Sequence, residues 1–352
     1  MKKYFFCLAL ITIVLLILGC KKSITDPQPD GLQPGRRDYV WTVDTLKHPS
    51  SFQTLMRSIW GTSSKNLFAV GFNDTYQRKM YHFDGVSWKP VKLDIAEGGF
   101  INIINGLSAV YGFSENNIFA VGSRYYDSPT GTGYVDSSLI IHYDGSAWRE
   151  SLVGRGAWLN VIWGADPNNV WAMGGIGSVF FFNGLEWTKI RMRDDIQFHA
   201  ISGTSKDNIF SLAIKLDVMP YDSIMSILFH YDGYAWKEID SGYEFSRNFY
   251  RTSVWSLDEN NIFITGYGIY KKTGNDWEKI FDNGQLYSKI KGTSERNLFV
   301  VYESVQHYNG TNWAELTMPI PPTFPLTDIW TDGKEVFIVG NDGNTTYVFH
   351  GK

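Results

Sequence analysis

Apolar residues along this chain come in short runs that end on Gly or on an Asp-Gly or Asn-Gly pair, and the runs repeat. One copy reads Ser58-Ile59-Trp60-Gly61-Thr62, then Asn66-Leu67-Phe68-Ala69-Val70-Gly71, then Tyr81-His82-Phe83-Asp84-Gly85-Val86-Ser87-Trp88. The same pattern returns through Tyr111-Gly112, Asn117 to Gly122 and His142 to Trp148, and through Trp163-Gly164, Asn169 to Gly174 and Asn183 to Trp187. Later copies run through Ser202-Gly203, Asn208 and His230 to Trp236; through Trp255, Asn261 to Gly266 and Trp277; and through Lys291-Gly292, Asn297 and His307 to Trp313. A seventh starts at Ile329-Trp330 and Val336 to Gly340 and stops at Phe349-His350-Gly351-Lys352, before its Trp. Runs this short, closed by turn residues, predict strands, and the Asp-Gly and Asn-Gly pairs predict tight hairpins because those residues tolerate positive φ. Each copy therefore predicts four antiparallel strands, here A to D, and a self-similar period of this length predicts a radial array.

The fold expected is all-β, a seven-bladed β-propeller spanning residues 38–352. Tyr39-Val40-Trp41-Thr42-Val43 resembles the Trp-bearing half of a repeat, the half that the seventh copy lacks. It predicts closure of the ring by pairing with Tyr347 to His350, which removes exposed sheet edges.

Composition agrees with many short strands: 352 residues, 43% hydrophobic, 16% aromatic, 34 Gly. Net charge is −4, and about −6 once Lys2 and Lys3 are gone; with no basic stripe, this excludes a nucleic-acid footprint. The two cysteines, Cys7 and Cys20, both lie at the N-terminus, so the body holds no disulfide and no thiolate metal site. Met1-Lys2-Lys3 is a basic start, Tyr4 to Leu18 an apolar run too short for a membrane span of about 20 residues, and Ile17-Leu18-Gly19-Cys20 resembles a bacterial lipobox. Residues 1–19 read as a lipoprotein signal peptide and 20–37 as a lipidated Cys20 with a Pro-rich flexible tether. That places the body in the bacterial cell envelope, attached through its lipid to the outer membrane on its periplasmic or surface face.

Repeated polar residues read as structural. His82, His142, His230 and His307 recur once per repeat, around a ring, far beyond metal-ligand distances of about 2 Å. Asp84, Asp144 and Asp232 alternate with Asn183 and Asn309, an exchange that a turn tolerates and a catalytic carboxylate does not. Trp88, Trp148, Trp187, Trp236, Trp277 and Trp313 read as packing between blades. No nucleophile elbow, phosphate-cradling loop or His-Glu-x-x-His motif is present, and no cofactor or metal is expected.

Candidate ligand residues come from unrepeated loops. A–B and C–D connections stay short, while B–C and D–A connections vary widely and emerge on one face. Tyr125, Tyr126 and Tyr134 lie on the second B–C connection, and Asp217 and Tyr221 on the fourth. Arg155, Trp158, Arg191, Arg193 and Tyr250 lie on D–A connections. A third repeat with almost no B–C insertion predicts a notch between its neighbours, lined by Arg155, Trp158 and Arg191. Aromatics beside charged groups suit an envelope protein or a glycan, so a non-catalytic binding or assembly module is expected on this face. The alternative is a carbohydrate-active enzyme, glycosyltransferase- or glycosidase-like, using acidic residues of the same loops.

The Ile-Trp-Gly, Asn-x-Phe-Ala-Val-Gly and His-Tyr-Asp-Gly-x-x-Trp repeats resemble a family of bacterial, often lipid-anchored propeller proteins, a likeness covering about residues 38–352. Relatives are sometimes labelled glucosyltransferase, a label no nucleotide-sugar site in this chain supports. The Asp-Gly-x-x-Trp element also resembles the Asp-box of sialidases and of photosystem-assembly propellers. It lacks their Ser/Thr-x-Asp-x-Gly-x-Thr-Trp spacing, so neither activity transfers.

Overall fold

A computed structural model describes residues 35–74, 79–93, 106–127, 134–155, 157–215, 225–243, 251–274, 276–320 and 323–352. Strand β1 (Trp41–Leu46) belongs to the last blade. Blade 1 holds β2 (Thr54–Ser63), β3 (Asn66–Asn73), β4 (Met80–Phe83) and β5 (Trp88–Pro90); blade 2 holds β6 (Gly106–Ser114), β7 (Asn117–Asp127), β8 (Tyr134–Tyr143) and β9 (Trp148–Arg155). Blade 3 holds β10 (Leu159–Asp166), β11 (Asn169–Gly174), β12 (Ser178–Phe182) and β13 (Trp187–Arg191); blade 4 holds β14 (Ile196–Ser205), β15 (Asn208–Lys215), β16 (Met225–Tyr231) and β17 (Trp236–Tyr243). Blade 5 has β18 (Arg251–Asp258), β19 (Asn261–Thr273) and β20 (Asp276–Leu286); blade 6 has β21 (Lys289–Ser294), β22 (Asn297–Val301), β23 (Val305–Tyr308) and β24 (Trp313–Glu315). Blade 7 is β25 (Leu326–Thr331), β26 (Val336–Asn341) and β27 (Thr346–Gly351) with β1 outermost. First strands touch in the circular order β2, β6, β10, β14, β18, β21, β25 and back to β2, so the seven sheets form a closed seven-bladed propeller.

Closure follows the expected strand with a small shift. β1 pairs β27 antiparallel from Trp41↔Gly351 to Leu46↔Thr346, two residues later than the apolar run suggested. Val40 and Lys352 exchange backbone hydrogen bonds at 3.0 Å just beyond it.

The core is divided among the blade boundaries. Seven apolar clusters each join residues of two neighbouring blades, as in Phe68, Val70 and Met80 with Leu107, Ile118 and Trp148. Fourth-strand tryptophans pack on the second-strand aromatic of the preceding blade: Trp148 on Phe68 at 6.2 Å, Trp187 on Phe119 at 6.0 Å, Trp236 on Trp171 at 5.3 Å. Trp41 takes this place for blade 7, against the cluster holding Phe299.

Blade 5 departs from four separate strands. Lys271 Nζ lies 5.7 Å over the Phe263 ring, although eight extended residues would span about 26 Å, so β19 folds back on itself. Gly268, at φ +104°, supplies the bend, and the expected B–C connection shrinks to a turn.

Two inter-blade devices explain residues that repeat in the sequence. The aromatic of Ile-Trp-Gly lies over the Gly of the next blade: a Cβ at Gly112 would sit 2.6 Å from the Trp60 ring, and one at Gly203 would sit 2.7 Å from the Trp163 ring. Where Ser202 stands in place of the aromatic, the next blade carries Ser256 in place of Gly, and Ser256 N donates to Ser202 Oγ at 2.8 Å. Gly203→Ala is accordingly expected to cost about 1–3 kcal/mol by overpacking, read by urea titration, whereas Ser202→Ala gives up one hydrogen bond, about 1 kcal/mol. The second device uses a side chain near the start of the first strand. Asn160 Nδ2 donates to Phe198 O (2.9 Å), His199 Nε2 to Arg251 O (3.0 Å), Ser288 Oγ to Leu326 O (2.9 Å) and Thr327 Oγ1 to Met56 O (3.3 Å), each reaching the next blade. Bulges at Leu159/Val161, Phe198/Ala200 and Leu326/Asp328 re-aim three of these side chains.

Candidate functional site

The repeated polar residues are bound within their own blades. His82, His142, His230 and His307 donate through Nε2 to the Oδ1 of Asn66, Asn117, Asn208 and Asn297 at 2.6–2.8 Å and stack on Phe68, Phe119, Phe210 and Phe299 at 4.1–4.5 Å. Burial pushes all four imidazoles down, His307 to about 4. The turn acids accept backbone N–H bonds, as Asp84 Oδ1 does from Val86 and Ser87 at 3.0 and 2.9 Å; Asn183 Oδ1 does the same at 2.9 and 3.0 Å. Among the described residues, no three His, Cys, Asp or Glu side chains stand together to hold a metal.

On the face of long connections, the second B–C connection is largely sheet. Ladder pairs continue from Ser123↔Ser138 through Tyr125↔Asp136 and Tyr126↔Val135 to Asp127↔Tyr134, so Tyr125, Tyr126 and Tyr134 sit on a ribbon rising about 13 Å past the blade. Alternating residues suit a ladder, and this part of the connection is paired strand where a loop was expected. Arg155 pairs with Ser137 at the end of β9. Blade 3 beside it turns within Gly175-Ile176-Gly177, with Ile176 at φ +50°, so the expected step in height is present. Trp158 is half-buried with its indole against Gly175, where a Cβ would meet it at 2.7 Å. Arg191 is exposed at the end of β13.

Arg193 is already engaged: its guanidinium bonds both Asp195 carboxylate oxygens at 2.5 and 2.7 Å and Glu238 at 3.1 Å. These partners tie blade 3 to blade 4. Asp217, Tyr221 and Tyr250, like Cys20, lie outside the described residues.

A groove of about 910 Å³ lies between blades 4 and 5, running from the long-connection face to the short-turn face. Phe210, Ile262, Ile264, Trp277 and half-exposed Ile239 supply its apolar wall. Arg251, nine-tenths buried at the start of β18, pairs its guanidinium with Asp240 in β17. Lys279 Nζ stands 5.3 Å over the Tyr270 ring and 2.9 Å from Asp282, whose carboxylate holds the ammonium above the usual lysine range. Glu259, Lys272 and Asp276 line the opposite end. The size and an apolar wall with charged ends are those of a ligand site. Sequence reading missed this groove because its residues come from two blades.

The first strands enclose a separate central channel of about 240 Å³ containing Lys289, Lys291 and Asp328. Asp328 accepts from Ile59 N and Ile329 N at 2.9 and 3.0 Å.

No family model matches the chain, and no curated protein matches it in sequence. Solved propellers match its shape. YCF48 bound to D1 peptide superposes with TM-score 0.58 at 11% identity, covering 91% of this chain and 99% of that one. The WD40 propeller domain of Doa1 gives 0.58 at 11%, covering 88% and 97%. A catalytically inactive variant of virginiamycin B lyase from Staphylococcus aureus, with quinupristin, gives 0.53 at 9%, covering 88% and 99%. At such identities the likeness is one of fold.

Proposed function

We propose that this chain is a non-catalytic binding or assembly module, held in the bacterial envelope by a lipid on Cys20, that takes an extended peptide segment of an envelope protein. The observation that carries the reading is the groove of about 910 Å³ between blades 4 and 5: an apolar wall with ions of both signs at its ends. A sugar site would favour an open aromatic platform, whereas Trp277 is packed against the cluster of Phe210 and Leu212. The solved propeller that carries a D1 peptide supports a peptide ligand by analogy of fold. The repeated His, Asp and Trp residues are occupied in holding the blades, which leaves the unrepeated Ile239, Asp240, Arg251, Tyr270 and Lys279 of the groove and the loop residues for recognition.

The test compares wild type with Ile239→Glu and Tyr270→Ala, both on the groove wall, in capture from envelope extract followed by measured affinity for the captured protein. Each substitution is expected to weaken binding at least tenfold, with melting unchanged within about 3 °C. Trp158→Ala and Arg191→Ala test the loop face above blade 3 in the same assay. A turnover screen on glycans and activated sugars that gave activity lost in Asp276→Asn would replace this reading with the enzymatic one. Lipidation is checked separately, by intact mass of the membrane fraction with and without Cys20→Ala.

A further inference from the structure

The described chain begins on one particular face. Gly35 N donates to Arg296 O at 2.9 Å, and a Cβ there would lie 2.6 Å from Asn297 Oδ1, so Gly35 is seated against the A–B turn of blade 6. Arg37 NH1 donates to Asn312 Oδ1 and NH2 to His307 O, both at 2.7 Å, fastening the next residues to the C–D turn of the same blade. Both turns belong to the short-turn face, opposite the long connections. The described chain therefore starts on that face, and the fifteen residues from Cys20 to Pro34, counted as a random coil, would reach on average about 20 Å.

Among the described residues, the same face carries the three most exposed large apolar side chains. Tyr234 is 94% exposed, Leu185 91% and Val86 88%, each at the tip of a C–D turn, directly after the Asp-Gly or Asn-Gly pair. Turn geometry does not require them: Ser146 and Thr311 hold the same position in blades 2 and 6 with the same N–H bond to the turn Asx, at 2.9 and 3.0 Å. Two of the turn carboxylates beside these tips are paired, Asp84 with Lys89 and Asp232 with Lys237, each at 2.5 Å, so the tips stand beside ion pairs and not bare carboxylates.

We propose that the short-turn face rests on the surface of the lipid bilayer that holds Cys20, with Val86, Leu185 and Tyr234 entering the interface and the long connections facing away. This rests on the lipid-anchor reading above. Exposed Leu and Tyr are side chains that partition into the headgroup region, and a tether leaving from the same face keeps them within reach of it. The orientation leaves the opening of the blade 4–5 groove at Arg251 and Asp240 accessible to a partner.

The natural sequence makes the test clean, because its only cysteines are Cys7 and Cys20. Full-length protein carrying Leu185→Cys, Tyr234→Cys or, as the opposite-face control, Phe52→Cys (73% exposed) is labelled with a bimane and placed in phosphatidylethanolamine–phosphatidylglycerol vesicles containing nitroxide lipid. Quenching at positions 185 and 234 is expected to exceed that at 52 at least threefold. Equal quenching, or stronger quenching at 52, with lipid present on Cys20 by mass, overturns the orientation alone. An unmodified Cys20 overturns the anchor and the orientation together.

Discussion

Deleting residues 38–46 is expected to leave the body unable to hold its ring, whereas deleting 21–34 should move the melting temperature by no more than about 2 °C. The first deletion removes β1, the outer strand of blade 7, with six ladder positions. It also uncovers the cluster of Phe299, Leu316 and Phe349, on which buried Tyr39 and partly buried Trp41 and Val43 pack. Truncating one buried aromatic costs about 3–5 kcal/mol, and removal of the strand takes several such side chains together. That sum approaches the whole stability of a typical domain, about 5–15 kcal/mol. Trp41→Ala alone should lower the melting temperature by about 5–10 °C. Equal melting curves for the two deletions would show that β1 does not close the ring.

Acidification from pH 7 to pH 5 should destabilise the propeller far more than it would a protein with exposed histidines. Burial lowers the pKa of His82, His142, His199, His230, His307 and His350, reaching about 4 at His199 and His307. A group depressed in the folded state contributes stability that is complete above its unfolded pKa, near 6.5, and is lost as pH falls towards the folded value, because the unfolded chain then binds a proton that the folded chain refuses. His307 shows the cause in atoms: Nε2 donates to Asn297, Nδ1 accepts from Arg37 Nε at 3.3 Å, and the ring is fully buried. Protonating Nδ1 destroys an acceptor and sets a cation beside a guanidinium. At pH 5 the expected loss is on the order of 2 kcal/mol for this group. Urea titrations at pH 7 and 5 of wild type and His307→Gln measure it, and the variant should lose that part of the pH dependence. A wild-type difference under about 0.5 kcal/mol would contradict it.

Local chemistry written in every copy was legible in the amino-acid sequence. Asp84-Gly85 and Asn183-Gly184 had to be tight turns, because Gly there runs at φ +89° and +94° and the Asx side chain caps the turn. The seven-fold count, the strand at Trp41 and the private role of each repeated His followed from the same regularity. The Ser202–Ser256 exchange was visible as letters too, but only a neighbouring blade gives it a reason. The engagement of Arg193 by Asp195 and Glu238, the sheet character of Tyr125 to Asp127, the fold-back of β19 and the groove walled by Ile239, Tyr270 and Trp277 were decided in three dimensions. A repeat encodes what each blade does to itself, since hydrogen bonds along a hairpin depend on nearby residues. What two unlike blades leave between them depends on side chains about 40 residues apart meeting at a boundary, and that meeting exists only once the ring has closed.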